Sequence, residues 1–419
     1  MSTASERLAG SGGPKPTGEV IDVSGSVSAP AGFRASGVAC GIKKSGALDF
    51  ALIVSDAPAS AAAVFTTNKA QAAPILVSKA RLAASGGRAR VVAINSGCAN
   101  ACTGPEGLRV AEQMADETAR RIGADPSQTL IASTGVIGVA LDRSAVFSGI
   151  ERAAKAMSPD GGPLAARAIM TTDPFPKEAA VEVATAAGRF RVGGIAKGSG
   201  MIEPLMATML AVVTTDVKIA PGLLQRALTD VADRTFNAIS VDGECSTNDC
   251  VFALANSASG VEIEEHDLGL FAEALRRVCE PLAVGIVRGG EGATKLVTVE
   301  VTGGRSNDDA KRAARAIANS PLVKTAIHGA DPNWGRLVAV AGRAQVDFVL
   351  ERARVTIGGV ELFAGGRPFD ERAPEASRHL QGDEVLVGVD LGTGGCGAAR
   401  MWTCDFSAEY VRINAEYRT

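Results

Sequence analysis

The sequence predicts a layered α/β protein. Three observations lead there. From about Gly37, short β-branched runs alternate with amphipathic helical stretches. Glycine is abundant (48 residues) while aromatic residues make up only 4%, so the core has to be close-packed from Ala, Val, Leu and Ile. Strand-like runs also crowd together after residue 208, a spacing that suggests antiparallel pairing.

In chain order the expected strands are residues 51–54, 90–95, 130–133, 210–215, 296–301 and 337–340. A hairpin-like pair at 346–350 and 355–362 comes next, then 385–390 and 398–404. The expected helices are 108–122, 223–236, 268–284 and 308–319. In the first of these, Leu108, Ala111, Met114 (or Ala115) and Thr118 recur every three to four residues, with the charges on the other side. Residues 1–30 are rich in Ser, Gly, Ala and Pro and carry Glu6, Glu19 and Asp22 without a signal-type apolar stretch. A loose tail and a cytoplasmic protein are the expectation.

The 419 residues suffice for two or three domain-sized units or one large α/β body. With 43 Lys+Arg against 46 Asp+Glu, the net charge of −3 makes no electrostatic case for nucleic acid or a membrane surface. No apolar run approaches the roughly 18 residues of a spanning helix. Only His266, His328 and His379 exist, which disfavours a His-rich metal site or a Ser-His-Asp triad. Cys98 and Cys102 are separated by three residues, Cys245 and Cys250 by four, and neither spacing is a standard zinc pattern. With Cys40, Cys279, Cys396 and Cys404, all eight cysteines read as small buried or free thiols of a reducing compartment. No metal is expected.

Several Gly-rich polar segments break the periodic pattern: 95–104 (NSGCANACTG), 133–138 (STGVIG), 196–210 (AKGSGMIEPLMATML), 241–249 (VDGECSTND), 289–295 (GGEGATK), 329–336 (GADPNWGR) and 414–419 (NAEYRT). Binding residues usually sit in such segments, but any one of them taken alone is better read as a tight turn. In 196–210 the Lys197-Gly198 order is wrong for a phosphate loop, and Gly198-Ser199-Gly200 is not a hydrolase elbow.

What remains there is Ala207-Thr208 at the mouth of an apolar strand. A Thr in that position is ordinarily a good β former. Its chemical reading is a self-processing nucleophile. The Thr208 hydroxyl attacks the Ala207 carbonyl, the chain shifts from nitrogen to oxygen, and water cuts the ester. The α-amino group so freed, with an ordinary pKa of about 7.7–8.0, serves as base for its own hydroxyl. The small Ala207 suits that attack, and no histidine is needed. Thr134-Gly135, after the apolar run 130–132, offers a hydroxyl and an approachable backbone N–H as oxyanion donors; a strand-ending turn is the alternative reading.

In this order the segments resemble the ornithine acetyltransferase family, the bifunctional glutamate N-acetyltransferases of arginine biosynthesis. The resemblance runs from about Gly32 to Thr419. Its carriers are GVACGIKKSGALDFALI, NSGCANACTG, STGVIG, MTTDPFPK, AKGSGMIEPLMATML, VDGECSTND, GEGATK, GADPNWGR and YVRINAEYRT. It implies the α/β sandwich of self-processing acyltransferases of N-terminal-nucleophile type, related to an aminopeptidase group. A precursor would cut itself between Ala207 and Thr208 into an α chain (1–207) and a β chain (208–419), assembled as an α2β2 heterotetramer.

Thr208 would take the acetyl group of N2-acetylornithine and pass it to glutamate in ping-pong fashion, with acetyl-CoA a possible further donor and no bound cofactor. The resemblance assigns the oxyanion hole to Thr134 and Gly135. It assigns substrate binding to Thr172 (or Thr171), Lys197, Thr208, Glu291, Asn414 and Thr419. Lys197 would complement the substrate α-carboxylate and Glu291 its δ-ammonium. The chain departs from the family pattern at Gly289, where an Asp is expected before Gly-Glu-Gly, and at Cys98, Cys245 and Pro174. A monofunctional ornithine acetyltransferase, an N-terminal-Thr amidase or aminopeptidase, and a non-catalytic scaffold are the competing readings.

Overall fold

The computed structural model describes residues 18–203 and 209–416, so the Ala207–Thr208 junction, Thr419 and the first 17 residues of the expected tail lie outside the described residues. The chain forms two compact units. Both mix strands with helices in layers, as the sequence predicts.

The larger unit takes residues 18–237 and Glu244–Gly289. Its strands are β1 (Glu19–Val23), β2 (Phe33–Val38), β3 (Phe50–Phe65), β4 (Arg88–Cys98), β5 (Thr129–Val136), β6 (Lys177–Thr185), β7 (Gly188–Lys197), β8 (Leu210–Thr215), β9 (Lys218–Ile219), β10 (Cys250–Ala255) and β11 (Glu262–Ile263). Nine of them form one sheet in the order β1-β6-β7-β8-β10-β3-β4-β5, with β2 also pairing β3; β9 and β11 pair separately. The helices are α1 (Ala73–Ala84), α2 (Gly104–Ile122), α3 (Arg143–Lys155), α4 (Gly162–Ala168), α5 (Pro221–Arg234) and α6 (Leu268–Arg288).

The apolar runs expected as strands are continuous because the central sheet is buried on both faces. Along β3, Ala51 and Ile53 enter one core while Phe50, Leu52 and Val54 enter the other. β4 and β5 do the same: Val92, Ile94, Leu130 and Ala132 face one way, and Val91, Ala93 and Ile131 the other. Val110, Ala111, Met114 and Ala115 of α2 and Val146, Ile150 and Ala153 of α3 close the second face. The buried stripe of α2 thus includes Val110 as well as the expected Ala111 and Met114.

The expected tail is corrected in part. Glu19–Val23 is an edge strand antiparallel to β6, Asp22 pairs with Arg277 at 2.7 Å, and Val27 is fully buried. A complete ladder outweighs the polar composition that suggested a loose end.

The smaller unit takes Ala238–Gly243 and residues 290–416. It holds β12 (Leu296–Gly304), β13 (Arg354–Ile357), β14 (Val360–Ala364), β15 (Arg367–Pro368), β16 (Glu384–Asp390) and β17 (Gly397–Cys404), in the order β15-β14-β13-β16-β12-β17. Its helices are α7 (Asn307–Ala318), α8 (Pro321–His328), α9 (Trp334–Gly342), α10 (Ala373–Leu380) and α11 (Ala408–Glu416).

Antiparallel pairing holds for β12 with β17 and β13 with β16, but β12 with β16 and β8 with β10 are parallel. Two expected strands are overturned. Residues 337–340 belong to α9, capped by the Asn333 side chain on the Arg336 N–H, where Leu337, Val340 and Ala341 share one buried face. Residues 346–350 form no strand; they lead to β13. The hairpin instead lies inside 355–362, where Gly358 and Gly359, at φ +60° and +79°, make a two-residue turn that favours glycine at both positions.

Gly37 shows how tightly the sandwich closes. It faces Ala51 across the ladder, and a Cβ there would overlap the Leu164 carbonyl of α4. Gly37→Val is expected to cost roughly 1–3 kcal/mol or more through overpacking. A chemical-denaturation midpoint unchanged from wild type would refute this close packing.

Candidate functional site

In the larger unit, several of the segments singled out in the sequence meet at strand ends. There, parallel β4 and β5 finish side by side with a bulge at Gly97/Cys98. Gly135 sits there at φ +129°, and a Cβ on it would overlap the Gly97 backbone. Only glycine meets both conditions.

Buried amides sew the neighbouring loops to these ends. The Ser133 hydroxyl donates to Asn95 Oδ1 at 2.6 Å, and Asn95 Nδ2 donates to the Cys98 carbonyl at 2.9 Å. Asn248 Nδ2 donates to both the Ala99 carbonyl at 2.6 Å and the Ser133 carbonyl at 2.9 Å. Three segments far apart in sequence are thereby fixed to one another: 95–104, 133–138 and 241–249.

Thr134 lies two residues before the end of β5 and is buried, and Lys197 ends β7 with only 3% exposure. The Lys197 ammonium donates to Thr134 Oγ1 at 3.3 Å and lies 3.9 Å from Asp173 Oδ2. Sequence reasoning passed over Asp173, whose side chain is fully buried and stands at the centre of this region. Its Oδ1 accepts from Lys177 Nζ and from the Gly198 N–H, both at 2.7 Å; its Oδ2 accepts from the Thr171 N–H at 3.0 Å. Burial pushes the Asp173 carboxyl up, but the Lys197 and Lys177 ammoniums and the Gly198 N–H win and hold it at about 2.

Burial lowers Lys177 from the usual lysine range while Asp173 opposes the shift. Lys43 is lowered by burial as well, and its Nζ donates to the Met170 carbonyl at 2.6 Å, joining a further lysine to the Thr171 turn. Thr171 and Thr172 are both half-buried. The Asp173–Lys177 spacing of four was visible in the sequence; the approach of Lys197, across a strand pair, was not.

In the smaller unit Glu291 is buried and its Oε2 accepts from Asn414 Nδ2 at 3.0 Å, so two expected substrate residues touch. Asp405, also missed from sequence, anchors the loop that carries Glu291. It accepts from the Thr294 N–H at 2.7 Å, the Thr294 hydroxyl at 2.6 Å, the Lys295 N–H at 2.9 Å and His328 Nδ1 at 2.7 Å. The Asp405 carboxyl is held low by these donors against the upward push of burial. Ser407 donates to the Gly292 carbonyl at 2.6 Å, and a Cβ on Gly292 would overlap the Tyr410 backbone. Ala207, Thr208 and Thr419 are outside the described residues. Among the described residues no three His, Cys, Asp or Glu side chains converge as metal ligands, and no helix is long and apolar enough to cross a membrane.

Residues 34–419 match the family model described as the ArgJ family. A protein of Synechococcus sp. named arginine biosynthesis bifunctional protein ArgJ is 48% identical over 410 residues, covering 95% of this chain and 98% of its own. A protein of the same name from Symbiobacterium thermophilum is 46% identical over 404 residues, covering 95% and 99%. The crystal structure of arginine biosynthesis bifunctional protein argJ from Bacillus halodurans is 38% identical and aligns with a TM-score of 0.43, covering 45% of this chain and 98% of that one.

One further carboxyl departs from the usual pattern. Asp249, just before β10, is completely buried, and among the described residues neither of its oxygens has a hydrogen-bond partner. Burial pushes it well above the usual 3.8, and the nearby Lys197 ammonium opposes that shift without overcoming it. A folded-state pKa above the unfolded one contributes stability that is full below the ordinary carboxylate range and is lost as pH rises through the raised value. Asp249→Asn, which cannot ionise, should therefore gain on wild type as pH rises from about 4, by up to about 1.4 kcal/mol per pH unit. Denaturant titrations across that range check this; a difference constant with pH would show that Asp249 ionises freely.

Proposed function

Because the chain belongs to the ArgJ family, we propose that it transfers the acetyl group of N2-acetylornithine to glutamate, yielding ornithine and N-acetylglutamate for arginine biosynthesis. The observation that carries this reading is the match to bifunctional ArgJ proteins over 95% of the chain.

The precursor cuts itself between Ala207 and Thr208. The Thr208 oxygen attacks the Ala207 carbonyl, the amide nitrogen leaves with a proton as the free Thr208 amine, and water hydrolyses the resulting ester to release the Ala207 carboxylate and the Thr208 hydroxyl. Residues 1–207 and 208–419 then persist as α and β chains. Sheet order supports their staying together: β8 and β10 of the β part lie between β7 and β3 of the α part. The assembly is an α2β2 heterotetramer of the cytoplasm, with no bound cofactor.

In turnover the Thr208 amine takes the hydroxyl proton while Thr208 Oγ attacks the acetyl carbonyl. Thr134 Oγ–H and the Gly135 N–H receive the oxyanion, which the close backbone approach at Gly135 and the buried Thr134 hydroxyl support. The proton passes to the departing ornithine nitrogen, leaving an acetyl ester on Thr208. The glutamate amine then attacks the ester by the same route in reverse. Lys197 binds the substrate carboxylate and Glu291 the ammonium, with Thr172, Asn414 and Thr419 completing the contacts. Acetyl-CoA charges the same threonine as an alternative donor.

Purified protein should run as two fragments of similar size on a denaturing gel, the second beginning at Thr208. Incubation with N2-acetylornithine alone should place one acetyl group on that fragment, released by glutamate and not by water. Fully active but uncut chain would sink the reading; acetyl passing to water alone would make it an amidase. Thr134→Val should lower kcat by roughly 10²–10³-fold, the usual loss for one oxyanion donor. A fall below threefold would remove Thr134 from that role.

A further inference from the structure

An ammonium has three donors and no acceptor. In the 3.3 Å contact between Lys197 Nζ and Thr134 Oγ1 the hydroxyl oxygen must therefore accept. The hydroxyl hydrogen is thereby turned away from Lys197, and among the described residues no acceptor takes it. A hydroxyl that accepts from a cation is also a stronger donor in its turn.

What fixes Lys197 is Asp173. Two backbone N–H groups hold its carboxylate, one on each oxygen: that of Gly198, directly after Lys197, on Oδ1 and that of Thr171 on Oδ2. Lys177 pins one oxygen, Oδ1, at 2.7 Å. The other, Oδ2, faces the Lys197 ammonium at 3.9 Å, and both side chains are shut off from water. With so many restraints the carboxylate has little freedom to move, and it opposes the drift of Lys197 away from Thr134.

We propose that Asp173, Lys197 and Thr134 form a relay in which Asp173 is a positioning residue, Lys197 orients the Thr134 hydroxyl, and Thr134 presents its hydrogen to the oxyanion. The relay rests on the acetyl-transfer reading above and adds to it a role for Lys197 separate from binding a substrate carboxylate. The two roles differ in kinetics. A lost carboxylate contact raises KM, whereas a misdirected oxyanion donor lowers kcat, because the charge it meets exists only in the transition state.

The test is Asp173→Asn in the full chain, measured for transfer from N2-acetylornithine to glutamate, alone and combined with Thr134→Val. The single variant should lose roughly tenfold or more in kcat, with KM within about threefold, less than the roughly 10²–10³-fold loss of the donor itself. On the Thr134→Val background the same substitution should cost under about threefold, since the hydroxyl it serves is gone. Equal losses in both backgrounds, or a change in KM alone, would overturn the relay and leave Asp173 a merely structural residue.

Asp173→Asn strands two buried ammoniums, so the Asp173→Asn/Lys177→Met double variant provides a second measurement. It removes one charge of each sign and keeps the local balance. The same kcat loss is expected per folded molecule, and recovery of wild-type kcat would show that Asp173 only neutralises Lys177. Wild type that moves no acetyl at all would defeat the acetyl-transfer reading and the relay with it. Active wild type with unchanged Asp173→Asn kinetics defeats the relay alone.

Discussion

The arrangement of the larger unit depends on a single buried carboxylate. Asp173 gathers Lys177 at the start of β6, the Gly198 N–H after the end of β7 and the Thr171 N–H before it. Without it, two buried ammoniums would face each other in a low-dielectric interior, where removing one partner of an ion pair costs about 3–5 kcal/mol. The same group that makes the burial of Lys197 tolerable also sets where that ammonium points. Stability and site geometry are here one interaction.

The device recurs. Asp49 takes the N–H groups of Cys40, Gly41 and Lys43 at 2.6, 3.1 and 2.9 Å and so folds the GVACGIKK segment back on β3. Asp405 does the same for the loop of Glu291 in the smaller unit. Glycine-rich segments have many unpaired N–H groups and no side chains to anchor them. A buried carboxylate that accepts two or three of these groups satisfies them and makes the segment rigid. This explains how a chain so rich in glycine can hold binding residues in fixed positions. Asp249 is the exception: it is buried as deeply but lacks such donors among the described residues, and it is driven toward its neutral form.

Expected and observed elements agree best where a run is long or buried on both faces. Residues 210–215 coincide with β8, and 268–284 lies within α6, which runs through Pro281 to Arg288. Residues 337–340 went astray because Leu-Val-Ala-Val spans barely one helical turn, too short for its period to show. The Asn333 cap and the buried spacing of Leu337, Val340 and Ala341 decided for helix. The β6–β7 hairpin went unseen because its two strands are rich in Ala and Gly, residues with little strand preference of their own.

By itself the sequence determined the fold class, the family, and which residue types stand at the strand ends, because these follow from local periodicity and from motifs read in order. It also identified Thr134 and Lys197 as candidates, each for its own reason. Only the tertiary structure decided that the two touch, that Glu291 meets Asn414, and that Asp173, Asp405 and Asp249 are buried. The physical reason is that a carboxylate's role depends on the donors around it and the water it has lost. Those are set by strands and loops separated by tens to hundreds of residues, which no local pattern records.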